Sequence, residues 1–333
     1  MAANVAAVTL SIDGGADLTG KVNPRLLELT LSEKREAEAD ELAITLHNHD
    51  GALAVPDPGV HLRLALGWTS RSDSRPTGMV DKGRFTVDEV EQSGPPDVVI
   101  VRARSADLTG LYRQRRTRTW RNTTLGSILG RIASEHGGFA RIAGGLADKP
   151  IAAIEQEGKS DMAFVRDLGR RYDAIATWKA GMLLFAPIGL SAGLGSGSDL
   201  PPLTLAKVDG WEWRFAQADR EAYDGAEAQW HDQRAGRRRT VKVGGENRRK
   251  LKCVYASEAE ARQAAEASRT RDARKPFSFE YELAIAEPAI QPDQRVTLRG
   301  WGSKIDGIEW LVESVETTLG SSGLTQRIVL ESA

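Results

Sequence analysis

The sequence lacks the residues and runs that several classes of protein require. Its 333 residues include one cysteine, Cys253, which excludes an internal disulfide framework and a zinc site built from cysteines. No apolar run approaches the roughly 20 residues that span a bilayer. The first residues have neither the basic start nor the continuous apolar core of a signal peptide. The sequence therefore predicts a soluble protein made in the cytoplasm, with no membrane anchor.

Net charge is also lacking. The 45 basic and 46 acidic side chains nearly cancel, so no overall field draws the protein to nucleic acid or to a membrane surface. Apolar residues make up 41% of the chain and charged residues 27%, which is typical of a globular protein. The length is sufficient for two or three domains.

Patterns typical of catalysis, metal binding or nucleotide binding are missing as well. No Gly-x-Ser-x-Gly motif is present. His47 and His49 could begin a metal site, but a strand that ends at the Asp50-Gly51 turn explains them better. The glycines at 193, 195 and 197 lack the flanking strand and helix of a phosphate loop. Cys253 is expected to be a buried structural thiol. The sequence predicts no catalytic, cofactor-binding or metal-binding residue.

Alternating apolar and polar residues predict two β regions. Residues 1–110 contain five or six short runs of this kind, separated by glycine, proline and aspartate turns. Residues 203–333 read in the same way, with one alanine-rich helix over 256–274 that begins at the capping box Ser257-Glu-Ala-Glu260. Short strands at this spacing favour small barrels or sandwiches.

Residues 111–188 between the β regions have helical periodicity. Leu125 begins a helix that we expect Thr123 or Asn122 to cap and a glycine at 137 to end. A second helix is predicted to begin after Ser160 and to end near Asp173, before a hairpin. Residues 189–202 read as a flexible linker. The predicted fold class is α+β, mainly β, with two small β-barrel-like domains flanking an α/β module.

Two basic segments, 113–121 and 234–252, are the strongest charge features. They could form a phosphate-binding surface, or they could be solvated turns or inter-subunit ion pairs. Little aromatic interleaving accompanies them, and the total charge is about zero, so the second interpretation is favoured. The arginines concerned are Arg113, Arg115, Arg116, Arg118, Arg237, Arg238 and Arg239.

The second predicted helix carries a resemblance. Gln156, Ser160-Asp161, Phe164 and Leu168 resemble the Q-x-x-(E)-S-D-x-x-F-(L)-x-x-L signature of contractile-tail hub proteins. These form the phage late control D family of baseplate hubs, which is related to the amino-terminal half of the VgrG spike proteins of type VI secretion. Lys159 departs from the pattern, since the family usually has an acid there.

Further segments resemble the same family, in order, over roughly residues 105 to 330. They match a W-x-x-x-T-L passage, a Y-W-(D) strand pair and an I-D-G-x-W hairpin. The matching residues are Trp120, Thr124, Leu125, Trp230, Asp306, Gly307 and Trp310. The first hundred residues match only in β character and in the Leu46–Gly51 turn.

The resemblance implies a non-enzymatic structural hub in the tail baseplate of a phage or of a headless tailocin-like particle. It implies a homotrimer in which residues 1–110 and 203–333 are tube domains, forming a pseudo-sixfold ring between the hexameric tail tube and the trimeric central spike. Other baseplate proteins are further implied partners, and DNA could make passing contact in the lumen. The seven arginines become candidate interface or lumen residues. Because VgrG chains continue into a spike and this sequence stops at Ala333, we expect a separate spike protein.

Two alternatives stay open at this point. A nucleic-acid-binding or regulatory protein would use the basic segments, and salt-dependent DNA binding would indicate it. A carbohydrate-cleaving enzyme is more distant, since some hubs carry a fused lysozyme domain and the sequence shows no such insertion.

Overall fold

The computed structural model of the protein describes residues 3–35, 39–73, 76–105, 112–179, 181–190, 202–217, 223–274 and 277–333. The strands in these ranges are β1 (Val5–Ile12), β2 (Leu26–Lys34), β3 (Glu41–His47), β4 (His61–Ser70), β5 (Gly78–Ser93), β6 (Val98–Arg104), β7 (Arg115–Thr124), β8 (Phe139–Ile142), β9 (Pro150–Ser160), β10 (Ala174–Lys179), β11 (Met182–Pro187), β12 (Leu203–Ala206), β13 (Gly210–Gln217), β14 (Gly225–Asp232), β15 (Arg237–Gly244), β16 (Arg248–Tyr255), β17 (Phe277–Leu283), β18 (Arg295–Arg299), β19 (Trp310–Gly320) and β20 (Gly323–Ser332). The α-helices are α1 (Thr19–Val22), α2 (Leu125–Glu135), α3 (Asp161–Tyr172), α4 (Glu258–Arg274) and α5 (Ser303–Asp306).

The predicted fold class, α+β and mainly β, is confirmed. Barrel-like closure of each β region stays a prediction, as do the domain boundaries at 110, 188 and 202. The glycines at 193, 195 and 197 and most of the predicted linker lie outside the described residues.

The two β regions share one sheet. Eight strands form its continuous part in the order β5-β6-β3-β2-β19-β20-β17-β13, and all neighbours are antiparallel. Strands β2 and β19 join the regions through register pairs that run from Leu29–Leu319 to Lys34–Ser314. Strand β5 changes partner at Thr86, because its first part pairs with β4 and its second part with β6. We call this eight-stranded part the main sheet.

The second to sixth strands of both β regions have the same topology, and only the direction of the first strand differs. The first region comprises β1 to β6, and the second comprises β12, β13, β17, β18, β19 and β20. When the strands of each region are numbered one to six along the chain, their order in the main sheet is five, six, three, two. In both regions the fourth strand pairs with the beginning of the fifth strand. The first strand of each region pairs with the fourth, antiparallel in one and parallel in the other. The chain therefore contains a structural repeat that residue identity does not reveal.

The irregularities of the two regions fall at equivalent places. Register shifts occur at Leu26/Glu28 in β2 and Val87/Glu89 in β5, and at Gly210/Trp213 in β13 and Val312/Ser314 in β19. The amide of Val87 donates to Val60 O at 2.9 Å, and the amide of Val312 donates in the same way to Gln294 O at 3.0 Å. Matching β-bulges support a true internal duplication, because bulges are specific features of a fold.

Alternate residues of the main sheet are buried in two apolar cores, one for each region. Burying one such side chain contributes roughly 1.5–3 kcal/mol. The first core includes Leu29, Leu31, Leu42, Ile44, Phe85 and Val101, and the second includes Phe279, Tyr281, Trp310, Val315, Ile328 and Leu330.

Between the regions lies an α/β module with its own core. It consists of the β7–β9 ribbon, helices α2 and α3 and the sheet β10-β11-β8. Helix α3 begins as predicted, since Ser160 Oγ accepts a hydrogen bond from the amide of Ala163 at 3.2 Å. It ends at Asp173, whose φ of 51° is left-handed.

A second unit, residues 223–274, is inserted between the adjacent strands β13 and β17. Its sheet β15-β14-β16 packs one face against α4 through Ala226, Ala228, Ala261 and Ala265. Ser257 caps α4 by accepting the amide of Glu260 at 3.3 Å. The predicted capping box is only half present, because the Glu260 carboxylate accepts the Ala152 amide instead. We call residues 223–274 the inserted unit.

The cap of α2 differs from the prediction by one or two residues. Thr124, not Thr123 or Asn122, is the N-cap, and its Oγ1 accepts the Ser127 amide at 3.2 Å. We expect Thr124→Ala to lower the free energy of unfolding by about 1 kcal/mol, because an orphan amide loses its partner. Thr123→Ala is the matched control and should change it little. Urea denaturation of both variants checks this, and equal losses would contradict the assignment.

The predicted burial of Cys253 is wrong. It lies in β16, an edge strand of the inserted unit's sheet, and is exposed. We expect one thiol per chain to react with an aromatic disulfide reagent without denaturant, because access to the sulfur is open. A thiol that reacts only after unfolding would contradict this placement.

Candidate functional site

Asp161 is the centre of the first cluster of predicted signature residues. Its side chain is fully buried in the first turn of α3, where the helix dipole favours negative charge. His136 Nε2 lies 2.9 Å from one carboxylate oxygen and must donate to it, since a carboxylate only accepts. Gln156 Nε2 donates to the other oxygen at 2.8 Å, and Arg118 donates to it as well. These four residues are the Asp161 cluster.

The arginines of β7 extend this cluster to α2. Arg116 Nη1 lies 2.9 Å and Arg118 Nη1 2.8 Å from a carboxylate oxygen of Glu135, in the last turn of α2. The Arg118 and Arg131 guanidinium groups lie 5.1 and 5.5 Å from the ring centre of Trp120. Arg116 and Arg118 therefore tie the ribbon to both helices of the module.

The charges around Asp161 decide its ionisation. Burial alone would raise the pKa of this carboxyl, but the hydrogen bonds from His136 and Gln156 and the charge of Arg118 outweigh it. Its pKa therefore lies below its usual value, and the carboxylate is the stable form. A buried anion bound by three donors fixes the geometry of the module.

Asp306 organises the second cluster of signature residues. Its carboxylate accepts backbone amides of Gly300 at 3.0 Å, Trp301 at 3.0 Å and Gly302 at 3.3 Å. Burial would raise the pKa of Asp306, but these three amides outweigh it and hold the pKa below its usual value. The carboxylate thus shapes the turn between β18 and α5.

Two further signature residues complete that turn. Trp310 is fully buried, and its indole Nε1 donates to Ile305 O at 3.2 Å. A side chain at Gly307 would come within 2.9 Å of Ser303 O, so the close approach requires glycine. All three residues, Asp306, Gly307 and Trp310, therefore stabilise the turn between β18 and α5 and the short helix that follows it.

A third cluster, which the sequence did not indicate, joins all parts of the chain. Arg35, just after β2, lies 2.6 Å from Glu331 of β20. Arg274, at the end of α4, lies 3.5 Å from Glu331, and its Nη1 donates to Asp173 of the module at 2.6 Å. Asp293, before β18, accepts the Gly189 amide at 2.8 Å and lies 4.0 Å from Arg35. These five buried side chains form the ionic junction.

Burial and the neighbouring charges have opposite effects on the pKa of Glu331 in the ionic junction. Burial raises the pKa of Glu331, and the neighbouring charges of Arg35 and Arg274 only partly offset the rise. No local pattern could have revealed this cluster, since Arg35 and Glu331 are nearly the whole chain apart.

The remaining predicted residues take structural or exposed positions. Leu125, Phe164 and Leu168 are buried in the module core, and Trp230 packs against the core of the inserted unit. Arg113 and Arg115 are exposed, as are Arg237, Arg238 and Arg239 in β15, where Arg239 lies 2.8 Å from Asp232. An interface or lumen role for these arginines stays a prediction.

The described residues contain neither a cluster of metal ligands nor a helix that could span a membrane. Within the described ranges, no three His, Cys, Asp or Glu side chains come together as metal ligands. The Nδ1 atoms of His47 and His49 lie 2.9 Å apart, and Asp50 lies 2.5 Å from Arg25 instead. No helix among the residues that the structure describes has the length and apolarity to cross a membrane.

The chain is mainly β, its main sheet combines two regions of similar topology, and its signature residues brace the fold. Residues 40–323 match the family model described as phage tail baseplate hub. The chain is 34% identical to a probable baseplate hub protein of Escherichia phage 186, over 95% of this chain and 90% of that one. It therefore belongs to the phage tail baseplate hub family, and the relatives that it matches are structural baseplate hub proteins rather than enzymes.

Solved structures share the fold at low sequence identity. A tail protein from Neisseria meningitidis MC58 superposes with a TM-score of 0.70 at 12% identity, covering 98% of this chain and 96% of that chain. A component of the type VI secretion system from E. coli has a TM-score of 0.58 at 14% identity, covering 93% and 74%. The resemblance to hub and VgrG-type proteins is confirmed.

Proposed function

We propose that three copies of this chain form a pseudo-sixfold ring that joins the hexameric tail tube to the trimeric central spike. The internal duplication carries the proposal. Each chain supplies two β regions that contribute the same four-strand order to one sheet, so three chains would supply six similar units around an axis. This is the arrangement that a sixfold partner on one side and a threefold partner on the other require.

The two rims of the main sheet support an assignment of partners. One rim consists of short turns at residues 47–51, 94–97 and 320–323, drawn from both β regions. The opposite rim carries the α/β module and the inserted unit, each present once per chain. We call the first the turn rim and the second the module rim. We infer that the turn rim contacts the tail tube, because the two β regions are alike only at that rim. The module rim, with threefold repetition, would contact the spike and other baseplate proteins.

The solvent-facing side of the main sheet fits the lining of a channel. Apart from the buried Glu331, the register places seven acidic and five basic side chains on this side, so its small excess of negative charge does not favour retention of a polyanion. The acidic residues are Glu28, Glu41, Glu89, Glu91, Glu280, Glu282 and Glu316, and the basic ones are Lys34, Arg102, Arg104, Arg214 and Arg327. None of the seven arginines singled out from the sequence lies there. The proposal thus places them outside the lumen.

The assignment of partners is tested by measuring whether the chain captures the tube protein and the spike protein of the same particle. Ser322→Trp puts a large side chain on the turn rim, and we expect it to abolish capture of the tube protein while leaving capture of the spike unchanged. Ser127→Trp, at an exposed position of helix α2 in the module, is the control and should leave tube capture intact. Failure of the unmodified chain to capture either protein would contradict the proposal.

A further inference from the structure

One face of the inserted unit's sheet is largely exposed and basic. Helix α4 packs against the face that carries Ala226, Ala228 and Val241. Register and alternation place the intervening side chains of β14, β15 and β16 on the opposite face, which has five basic residues and a single acidic one, Glu227. The basic residues are Arg238, Lys242, Arg248, Lys250 and Lys252. We call this side of the sheet the basic face.

The basic face is not neutralised within the chain. None of its five cations has an ion-pair partner among the described residues. On the solvent-facing side of the main sheet, by contrast, Arg102 lies 3.2 Å from Glu91 and Arg327 lies 2.5 Å from Glu280. Because neighbouring like charges destabilise a sheet, a set of unpaired cations in the free chain indicates an external anion.

Strand β16 carries three of these cations along a free edge. It pairs only with β14 in the part of the chain that the structure describes, so its other edge has unpaired amides and carbonyls. Such an edge is a template for another strand. Arg248, Lys250 and Lys252 occupy every second position, which spaces them about 6.6 Å apart. A strand with acidic residues at alternate positions has the same period.

A groove of about 1710 Å³ lies beside β16 on its other face. Leu251, Cys253 and Tyr255 of β16 line it, together with Phe164 and Leu168 of α3. The three residues of β16 alternate with its cations. A strand added at this edge would therefore meet cations on one side of the sheet and mainly uncharged side chains on the other.

Three features favour an acidic polypeptide over nucleic acid as the ligand. The basic face carries no phenylalanine, tyrosine or tryptophan on which a base would stack. Glu227 lies between Lys242 and Lys250 in the register and would repel a continuous phosphate backbone. The groove has no excess of cations, since pairs such as Arg249 with Asp272 at 2.8 Å neutralise each other on its walls.

We propose that β16 pairs with an extended segment of another protein of the particle, in which acidic and apolar residues alternate. The acidic residues face Arg248, Lys250 and Lys252, and the apolar ones enter the groove. Strand addition draws its affinity from backbone hydrogen bonds and its specificity from alternate side chains. The inference rests on the proposed function only in assigning the partner to the same particle.

A synthetic peptide of ten residues, with glutamate at odd and valine at even positions, is the probe. Fluorescence anisotropy of the labelled peptide with the full chain should show binding. A peptide of the same composition, with its glutamates and valines in two blocks, should bind about tenfold more weakly.

Two lysine variants locate the charge that the peptide meets. Lys252→Glu should weaken binding of the alternating peptide about tenfold, because repulsion replaces attraction at the edge strand. Lys242→Glu is the matched control. It makes the same charge change on the basic face, but in β15 on the far side of β14, and should change binding less than about twofold.

The thiol of Cys253 gives an independent readout of position. Its reaction with an aromatic disulfide reagent should slow about tenfold at a saturating concentration of the alternating peptide, because the bound strand covers the groove. Binding that leaves this rate unchanged, or equal losses in the two lysine variants, would overturn the inference. A thiol that self-association already shields without peptide would assign the edge to a second copy and overturn it too.

A DNA duplex is the comparison ligand. Binding of the duplex without binding of the alternating peptide would overturn the inference in favour of a surface for polyanions. A chain that forms trimers and captures the tube and spike proteins, but does not bind the peptide, would overturn this inference alone. A chain that stays monomeric with both proteins present would overturn the proposed function, whatever the peptide does.

Discussion

Asp161→Asn is expected to lower the free energy of unfolding by about 3 kcal/mol. The substitution removes one charge from a buried ion pair and leaves the Arg118 guanidinium beside a neutral amide, a change that typically costs 3–5 kcal/mol. We expect the lower end because Arg118 also contacts Glu135. Chemical denaturation of the purified chain, followed by tryptophan fluorescence, measures the loss.

The stability that Asp161→Asn loses should depend on pH in a defined direction. The pKa of Asp161 is lowered in the folded protein, so its contribution is fully present above its ordinary value of 3.8 and is lost as the pH falls through the lower folded value. The difference between wild type and Asp161→Asn should therefore be constant near neutral pH and shrink below about pH 4.

Asp167→Asn is the matched control for this variant. Asp167 lies on the same helix and pairs with Lys159 at 2.6 Å, but both side chains reach solvent. A surface pair contributes at most about 1 kcal/mol, so this variant should be nearly neutral. Equal losses for the two aspartates would show that the Asp161 cluster does not brace the module.

Arg274→Met should be at least as damaging, at about 3–5 kcal/mol. The variant keeps the apolar stem but leaves Asp173 and Glu331 buried with fewer donors, and uncompensated buried charge is costly. Since Arg274 ends α4 and Asp173 ends α3, the loss should also loosen the inserted unit from the module. Differential scanning calorimetry should show a lowered or divided transition.

The damage in Arg274→Met should depend on pH. Burial raises the pKa of Glu331 in the folded state, so the folded protein binds a proton more readily than the unfolded chain and loses stability as the pH rises through that pKa. Without Arg274 this effect grows, and the variant should be closer to wild type at acidic pH than at alkaline pH. A deficit that does not change with pH would contradict the role given to Glu331.

Arg262→Met is the control for this variant. Arg262 lies on the same helix and pairs with Glu258 at 3.0 Å, with about half of each side chain exposed. The expected change is within about 0.5 kcal/mol.

Local rules predicted the features that depend on neighbouring residues. The capping of α3 by Ser160 and the alternation in β2, β3 and β6 follow from side chains a few positions apart. Strand β7 was missed, because its inward-facing side before Trp120 carries the half-buried arginines Arg116 and Arg118 instead of apolar residues, which hides the period-two pattern. The partners of these arginines, Glu135 and Asp161, come from two different helices, so the sequence around β7 does not indicate what its arginines bind.

Long-range features could not be predicted at all. The ionic junction brings together Arg35, Arg274 and Glu331 from three distant segments. The internal duplication is carried by backbone pairing and bulges, in which Trp213 takes the place of Leu29 and Phe279 that of Leu42. Any residue that fills a half-buried sheet position satisfies such a fold, so identity leaves no trace of it.

The mass of the chain in solution tests the central claim most directly. Light scattering, alone and with the spike and tube proteins, should give three times the chain mass of 36.2 kDa, or a monomer that becomes this trimer when the spike is added. A chain that remains monomeric at every concentration and with both partners present would contradict the ring.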